Sequence, residues 1–235
     1  MPSTLIAILL TAAIAVSTLA AAQQEQTAQI RFVPKSKTLL DGESGRVTDE
    51  SHVRVQGLIS ADSPQKLALT LADARKRSQQ FSLGGQPIVR VFLDSPGGQV
   101  QSAITMGRLL RASAAEVWVD RGNTCESACI LVLSGGVSRN AVPSAKLGVH
   151  RPYFEKNQFA RLSFAQSQKR YAALSTGVKD YLAEMGIADE LYQTMMQVPS
   201  GEMQYLDQNT AERTALLGND PAHEEWERAR ISVAG

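Results

Sequence analysis

At 235 residues, 43% hydrophobic and 20% charged, the chain can build an ordinary core and is too apolar for a disordered polymer. Its 24 basic and 23 acidic side chains leave a formal charge of +1, so no long-range field favours nucleic acid or an anionic surface. No basic stripe interleaved with aromatics argues for nucleic acid either, and the length suits one α/β domain or at most two small ones.

Residues 1–22, MPSTLIAILLTAAIAVSTLAAA, carry no charged side chain. Leu5–Leu19 has about the length of a signal-peptide apolar region and falls short of the ~20 residues that span a bilayer. Ala20 and Ala22 stand at the −3 and −1 positions of an A-x-A cleavage site ahead of Gln23. The expectation is a cleaved signal peptide and a periplasmic or secreted protein. An N-terminal membrane anchor is the alternative, because no Lys or Arg precedes the apolar run. No stable membrane span is expected after cleavage. Residues 23–52 read as a polar lead-in whose one apolar patch, Ile30–Val33, suits an edge strand.

From Val53 onward, strand and helix patterns alternate. VRVQGLIS reads as a strand, and Ala61, Asp62, Ser63 and Pro64 supply a helix start. The helix that follows, about 65–77, sets Leu67, Leu71 and Ala74 on one face. PIVRVFLD is a second, β-branched strand. After it Val100, Ala103, Ile104, Gly107 and Leu110 recur at helical spacing. EVWVD, CILVLSGG and KLGVH read as a third strand, an apolar helix and a short fourth strand. Tyr171, Leu174, Val178, Tyr181, Leu182 and Met185 then form one stripe of a long helix (162–185) ending at Gly186, and a shorter helix covers about 189–197. Residues 219–235 are a charged tail. The alternation implies an α/β fold with a mostly parallel sheet and right-handed crossovers.

Three stretches carry possible chemistry. In DSPGG, Gly97 and Gly98 sit where a strand hands over to a helix. Two readings are open: a plain turn, or bare amide groups that collect an oxyanion. In NTCESACILVLSGG, Ser127 precedes a very apolar helix, as an N-cap or as a nucleophile on an elbow without the usual G-x-S-x-G sequence. In KLGVHRP, His150 ends a strand, where open α/β sheets present reactive groups, although an imidazole has structural uses too. His52 and His223 read as solvated surface residues. Cys125 and Cys129 form a disulfide or stay as buried thiols. On one continuous helix their Cβ atoms would be ~5–6 Å apart against the ~3.8 Å a disulfide prefers. The bond therefore requires Cys125 to precede the helix. Two Cys and one nearby His make no zinc ligand set, and no metal or other cofactor is expected.

Order and spacing connect the three stretches: Ser127 follows Gly98 by 29 residues and His150 follows Ser127 by 23. Together DSPGG, CESAC and LGVHRP resemble the Clp protease proteolytic subunit and its relatives in the ClpP/crotonase-like superfamily, over about 53–218. C-x-S-A-C with L-G-x-H-R-P is similar to a group of exported bacterial ClpP-like proteins. The resemblance implies repeated β-β-α and βαβ units, a serine peptidase and a homo-oligomer acting on peptide or protein substrates. It makes Ser127 the nucleophile and His150 the general base, with oxyanion donors at Gly98 and Ala128 on a turn shaped by Pro96 and Gly97.

The family's third triad member, an Asp, aligns with Met203 in GEMQYLDQNTAE, and a shift of one brings Glu202 into that role. Asp180 and Glu184 on the long helix are weaker substitutes, and Lys146 would serve only a Ser–Lys dyad. Two rivals stand beside the hydrolase. One is a catalytically inactive module that holds a peptide strand beside the SPGG turn. The other is crotonase-like thioester chemistry, which export away from coenzyme A and the Ser/His spacing count against.

Overall fold

Alternation of apolar and polar residues builds β2 (His52–Gln56), β3 (Arg90–Asp94) and β4 (Glu116–Val119), which with β6 (Ser138–Ala141), whose one buried residue is Arg139, form the centre of a sheet, each strand parallel to its neighbour. The computed structural model describes residues 27–33, 52–79, 89–154 and 162–225. The expected signal peptide, most of the lead-in and residues 226–235 of the tail lie outside these. The apolar patch of the lead-in is β1 (Gln29–Val33), an antiparallel edge strand on β2. At the opposite edge β9 (Gly218–Asn219) runs antiparallel to β6.

One face of this sheet is the core: Val53, Val55, Val91, Leu93, Val117 and Val119 are all buried. The period-2 pleat sends their neighbours to the other face, where Arg90 pairs with Glu116 at 2.9 Å and Phe92 stacks on Trp118. His52 belongs to this face. It is not the solvated residue expected from sequence but is half-buried, its ring 4.8 Å from Phe92. Burial, then Arg54 and Arg31, hold its imidazole below the usual histidine value.

Helix α1 (Ser63–Gln79) buries Leu67, Leu71 and Ala74, and α2 (Val100–Ala112) buries Ala103, Met106 and Leu110. Helix α3 (Cys129–Ser134) has no polar stripe because all six residues are enclosed. Helix α4 (Phe164–Glu184) opens with a capping box between Ser163 and Gln166. Its stripe is not one core face. Val178, Tyr181 and Leu182 are buried, whereas Tyr171 and Leu174 are only half-buried. Helices α5 (Asp189–Gln197) and α6 (Gln208–Arg213) follow. Where α4 ends, the Met185 carbonyl accepts from both Arg111 and the buried Arg139, cations placed at the negative end of the helix dipole.

A second sheet was not foreseen. Strands β5 (Thr124–Glu126), β7 (Lys146–Val149) and β8 (Gln204–Tyr205) form it in the order β5-β7-β8, with β5 and β7 parallel. It joins the first sheet through a bridge between Ser95 and Cys125. Strand β5 is three residues long inside a polar stretch, too short for periodicity to register. No helix among the described residues is long and apolar enough to cross a membrane.

Candidate active site

The small sheet carries two of the three chemical stretches, and the end of β3 brings the third against it. Ser127 follows β5 with φ +55°, a left-handed conformation that costs a non-glycine residue roughly 1–3 kcal/mol. Among the described residues the other non-glycine positions at positive φ, Ala114 and Ala215, come just after helix ends, where that conformation terminates a helix. Ser127 comes before one. Its amide donates to the Gly148 carbonyl at 2.9 Å, which ties the elbow to β7.

Gly97 (φ +96°) and Gly98 (φ +140°) form the turn after β3. A Cβ on Gly97 would lie 2.7 Å from the Ser127 Cβ and 2.9 Å from the Ala128 nitrogen, and one on Gly98 would lie 2.1 Å from the Ile59 carbonyl oxygen. No side chain fits at either place. Gly97 must be glycine because it lies directly on the elbow, and Gly98 because it lies on the Ile59 backbone. The Gly97 amide donates to Ser95 Oγ at 3.1 Å, so Gly97 shapes the turn rather than offering a donor. Among the described residues the amides of Gly98 and Ala128 make no hydrogen bond. Two unengaged donors beside a serine have the character of an oxyanion hole.

His150 is buried at the end of β7 and packs beside Tyr153. Its Nδ1 lies 2.8 Å from the Arg151 carbonyl oxygen. A carbonyl only accepts, so this contact assigns the proton to Nδ1 and leaves the Nε2 lone pair available. No hydrogen bond joins His150 to Ser127 among the described residues. Both residues line one cavity of about 960 Å³, together with Gly98, Leu174, Glu202 and Met203.

Glu202 reaches this cavity but makes no hydrogen bond to His150. The register explains why. Val149 pairs with Gln204, and the next step along the two strands sets Met203, not Glu202, across from His150. Shifting by one residue would turn every side chain of β8 to its other face. Met203 packs where a Cβ on Gly148 would be, its Sδ 2.7 Å from that point. Neither Asp180 nor Glu184 lines the cavity, and Glu184 is engaged with Arg108 at 2.6 Å. Lys146 pairs with Thr124 at the far end of β7 and rests over the Tyr205 ring.

Sequence reasoning missed the Arg151 carbonyl, and no side-chain motif could have pointed to it. Cys125 and Cys129 are joined in a disulfide with Cα atoms 5.1 Å apart. Cys125 lies within β5 and Cys129 opens α3, so the bond avoids the helical i, i+4 spacing that would have prevented it.

No curated protein matches the sequence. Among solved structures the chain is similar to a point mutant of ClpP1 from Listeria monocytogenes, with 16% identity over 70% of this chain and 86% of that one, and a TM-score of 0.52. At that identity the likeness shows the fold, a ClpP-like arrangement of sheets flanked by helices. The family profile for Clp protease matches residues 44–190, more than half of the sequence, and the chain belongs to the Clp protease family.

Proposed function

We propose that this protein is an exported serine peptidase that works through a Ser127 acyl-enzyme with His150 as general base. The observation that carries the reading is the convergence on one cavity of a serine in a left-handed elbow, a histidine with Nδ1 already engaged, and the turn bearing the Gly98 amide. In this mechanism Nε2 of His150 takes the Ser127 hydroxyl proton as Oγ attacks the substrate carbonyl. The Gly98 and Ala128 amides receive the oxyanion. His150 then returns the proton to the leaving amine, and a water, activated the same way, releases the acyl group. The Arg151 carbonyl does the orienting that a carboxylate does in other triads. It is a weaker partner for an imidazolium than a full negative charge, so modest turnover is expected. The open Ser–His pair fits a free enzyme, where catalytic hydrogen bonds often tighten only with substrate in place.

Export rests on the uncharged apolar start and the A-x-A site at Ala20 and Ala22. A homo-oligomer, with peptide or protein substrates, follows from the family. The second reading, an inactive peptide-binding module, draws on Met203 standing where the family has its carboxylate. Labelling of the purified protein with a fluorophosphonate separates the two. Modification abolished by both Ser127→Ala and His150→Ala supports the peptidase. A folded wild type that never labels supports the module.

A further inference from the structure

We infer that the Cys125–Cys129 disulfide is a positioning element for the nucleophile and the oxyanion hole. The inference rests on the peptidase reading above. The three residues enclosed by the bond, Glu126, Ser127 and Ala128, contain both the attacking hydroxyl and one oxyanion amide. Both cysteines are fully buried. Cys125 is gripped on two sides: its residue pairs with Leu147 in β7 and bridges Ser95 at the end of β3. The Ser95 amide donates to the Thr124 carbonyl at 2.7 Å and its carbonyl accepts from Glu126 at 3.0 Å. The Ser95 hydroxyl in turn holds the Gly97 amide. The sulfur bridge then fixes the start of α3 to this same frame. Gly98, Ser127 and Ala128 are thereby referred to one rigid point.

The size of the ring argues against a global role. Chain-entropy stabilisation grows with loop length, and a loop this short restrains the unfolded chain far less than a long one. Its constraint is local, and the local feature is a serine in a conformation that non-glycine residues avoid. Opening the bond leaves the elbow held by hydrogen bonds alone and lets Ser127 relax toward negative φ, away from the turn.

The test compares the full chain with its disulfide intact, the Cys125→Ala/Cys129→Ala variant, and wild type reduced by a phosphine with its two thiols counted by alkylation. A fluorophosphonate gives a saturation constant and a maximal inactivation rate. The expected result is a maximal rate lower by about 10²-fold, the loss when one oxyanion donor is removed elsewhere. The saturation constant and far-UV circular dichroism stay unchanged, and reoxidation restores the rate. An unchanged rate in a protein with two free thiols overturns the inference. So does reduction that unfolds the chain, which makes the bond a global staple. If the intact protein does not label, the peptidase reading falls and this inference with it. Labelling that is insensitive to reduction removes this inference alone.

Discussion

The two sheets are held together by different means. In the larger one, Val53, Val55, Val91, Leu93, Val117 and Val119 are buried by simple alternation, and among the described residues none of its non-glycine strand positions has positive φ. In the smaller one, short strands hold a left-handed Ser127 against Gly97 and beside a disulfide. The first has apolar area to spare and no chemistry. The second has little apolar area of its own and nearly all the chemistry, so its geometry depends on single contacts. Lowering the stability of the first should leave the second competent, whereas atom-scale changes in the second should remove activity from a folded protein.

Gly98→Ala is the most severe test. The new Cβ would fall 2.1 Å from a backbone oxygen at φ +140°, so the turn must move and take its amide along. Probe reactivity is expected to fall by about 10²- to 10³-fold, as for loss of one oxyanion donor. The checks are labelling kinetics and a melting curve run on the same preparation. Full reactivity in Gly98→Ala would show that this amide is not a donor.

Leu110→Ala tests the other region. Leu110 is fully buried in α2 and does not line the cavity. Its truncation should destabilise by about 2–5 kcal/mol. For a chain of this size the melting temperature drops by ~2–4 °C per kcal/mol. Labelling per folded molecule at low temperature should equal wild type. A matching loss of reactivity would mean the two regions are not energetically separate.

The difference between the regions also sets what could be read from sequence. Strands β2, β3 and β4 could be read because apolar residues alternate along them toward the buried face; β6 could not, because the residue it buries is Arg139 rather than an apolar one, and the expected fourth strand, KLGVH, is β7 of the small sheet. Helix α5 fell at the expected 189–197 because burial of one face imposes a period there too. The small sheet hid because β5 and β8 are too short to show a period, and β8 belongs to the site only through pairing. Ser127, His150 and the glycine turn were visible as residue types in order. The partner of His150 was not, because a backbone carbonyl leaves no mark on a sequence.

Met203→Asp sharpens this point. Position 203 is where the register faces His150, so an aspartate there can compete with the Arg151 carbonyl for the Nδ1 proton. A carboxylate orients and stabilises the imidazolium, and even partial recovery should raise reactivity by about tenfold. Loss of Met203 packing against Gly148 should reduce stability at the same time. The pair of measurements is peptide hydrolysis and thermal unfolding. Reactivity that does not rise would mean the carbonyl already suffices.

The smallest effect belongs to the surface. Arg108 on α2 grips Glu184 on α4 through both carboxylate oxygens, with Nη2 2.6 Å from Oε2, yet both side chains remain about half exposed. The hydrogen bonds from Arg108 hold the Glu184 carboxyl below the usual glutamate value. A carboxylate whose folded value is depressed adds stability above its unfolded value, and that stability fades as pH falls through the folded one. Solvent screening keeps such a pair to ~0.5 kcal/mol. Glu184→Gln should therefore unfold slightly earlier at pH 7, merge with wild type in acid, and lose most of the difference in 1 M salt, where the Debye length is ~3 Å. Reactivity at Ser127 in the variant should equal that of wild type under each of these conditions. A loss larger than Leu110→Ala would mean that the packing of α2 on α4 depends on this ion pair more than on its buried contacts.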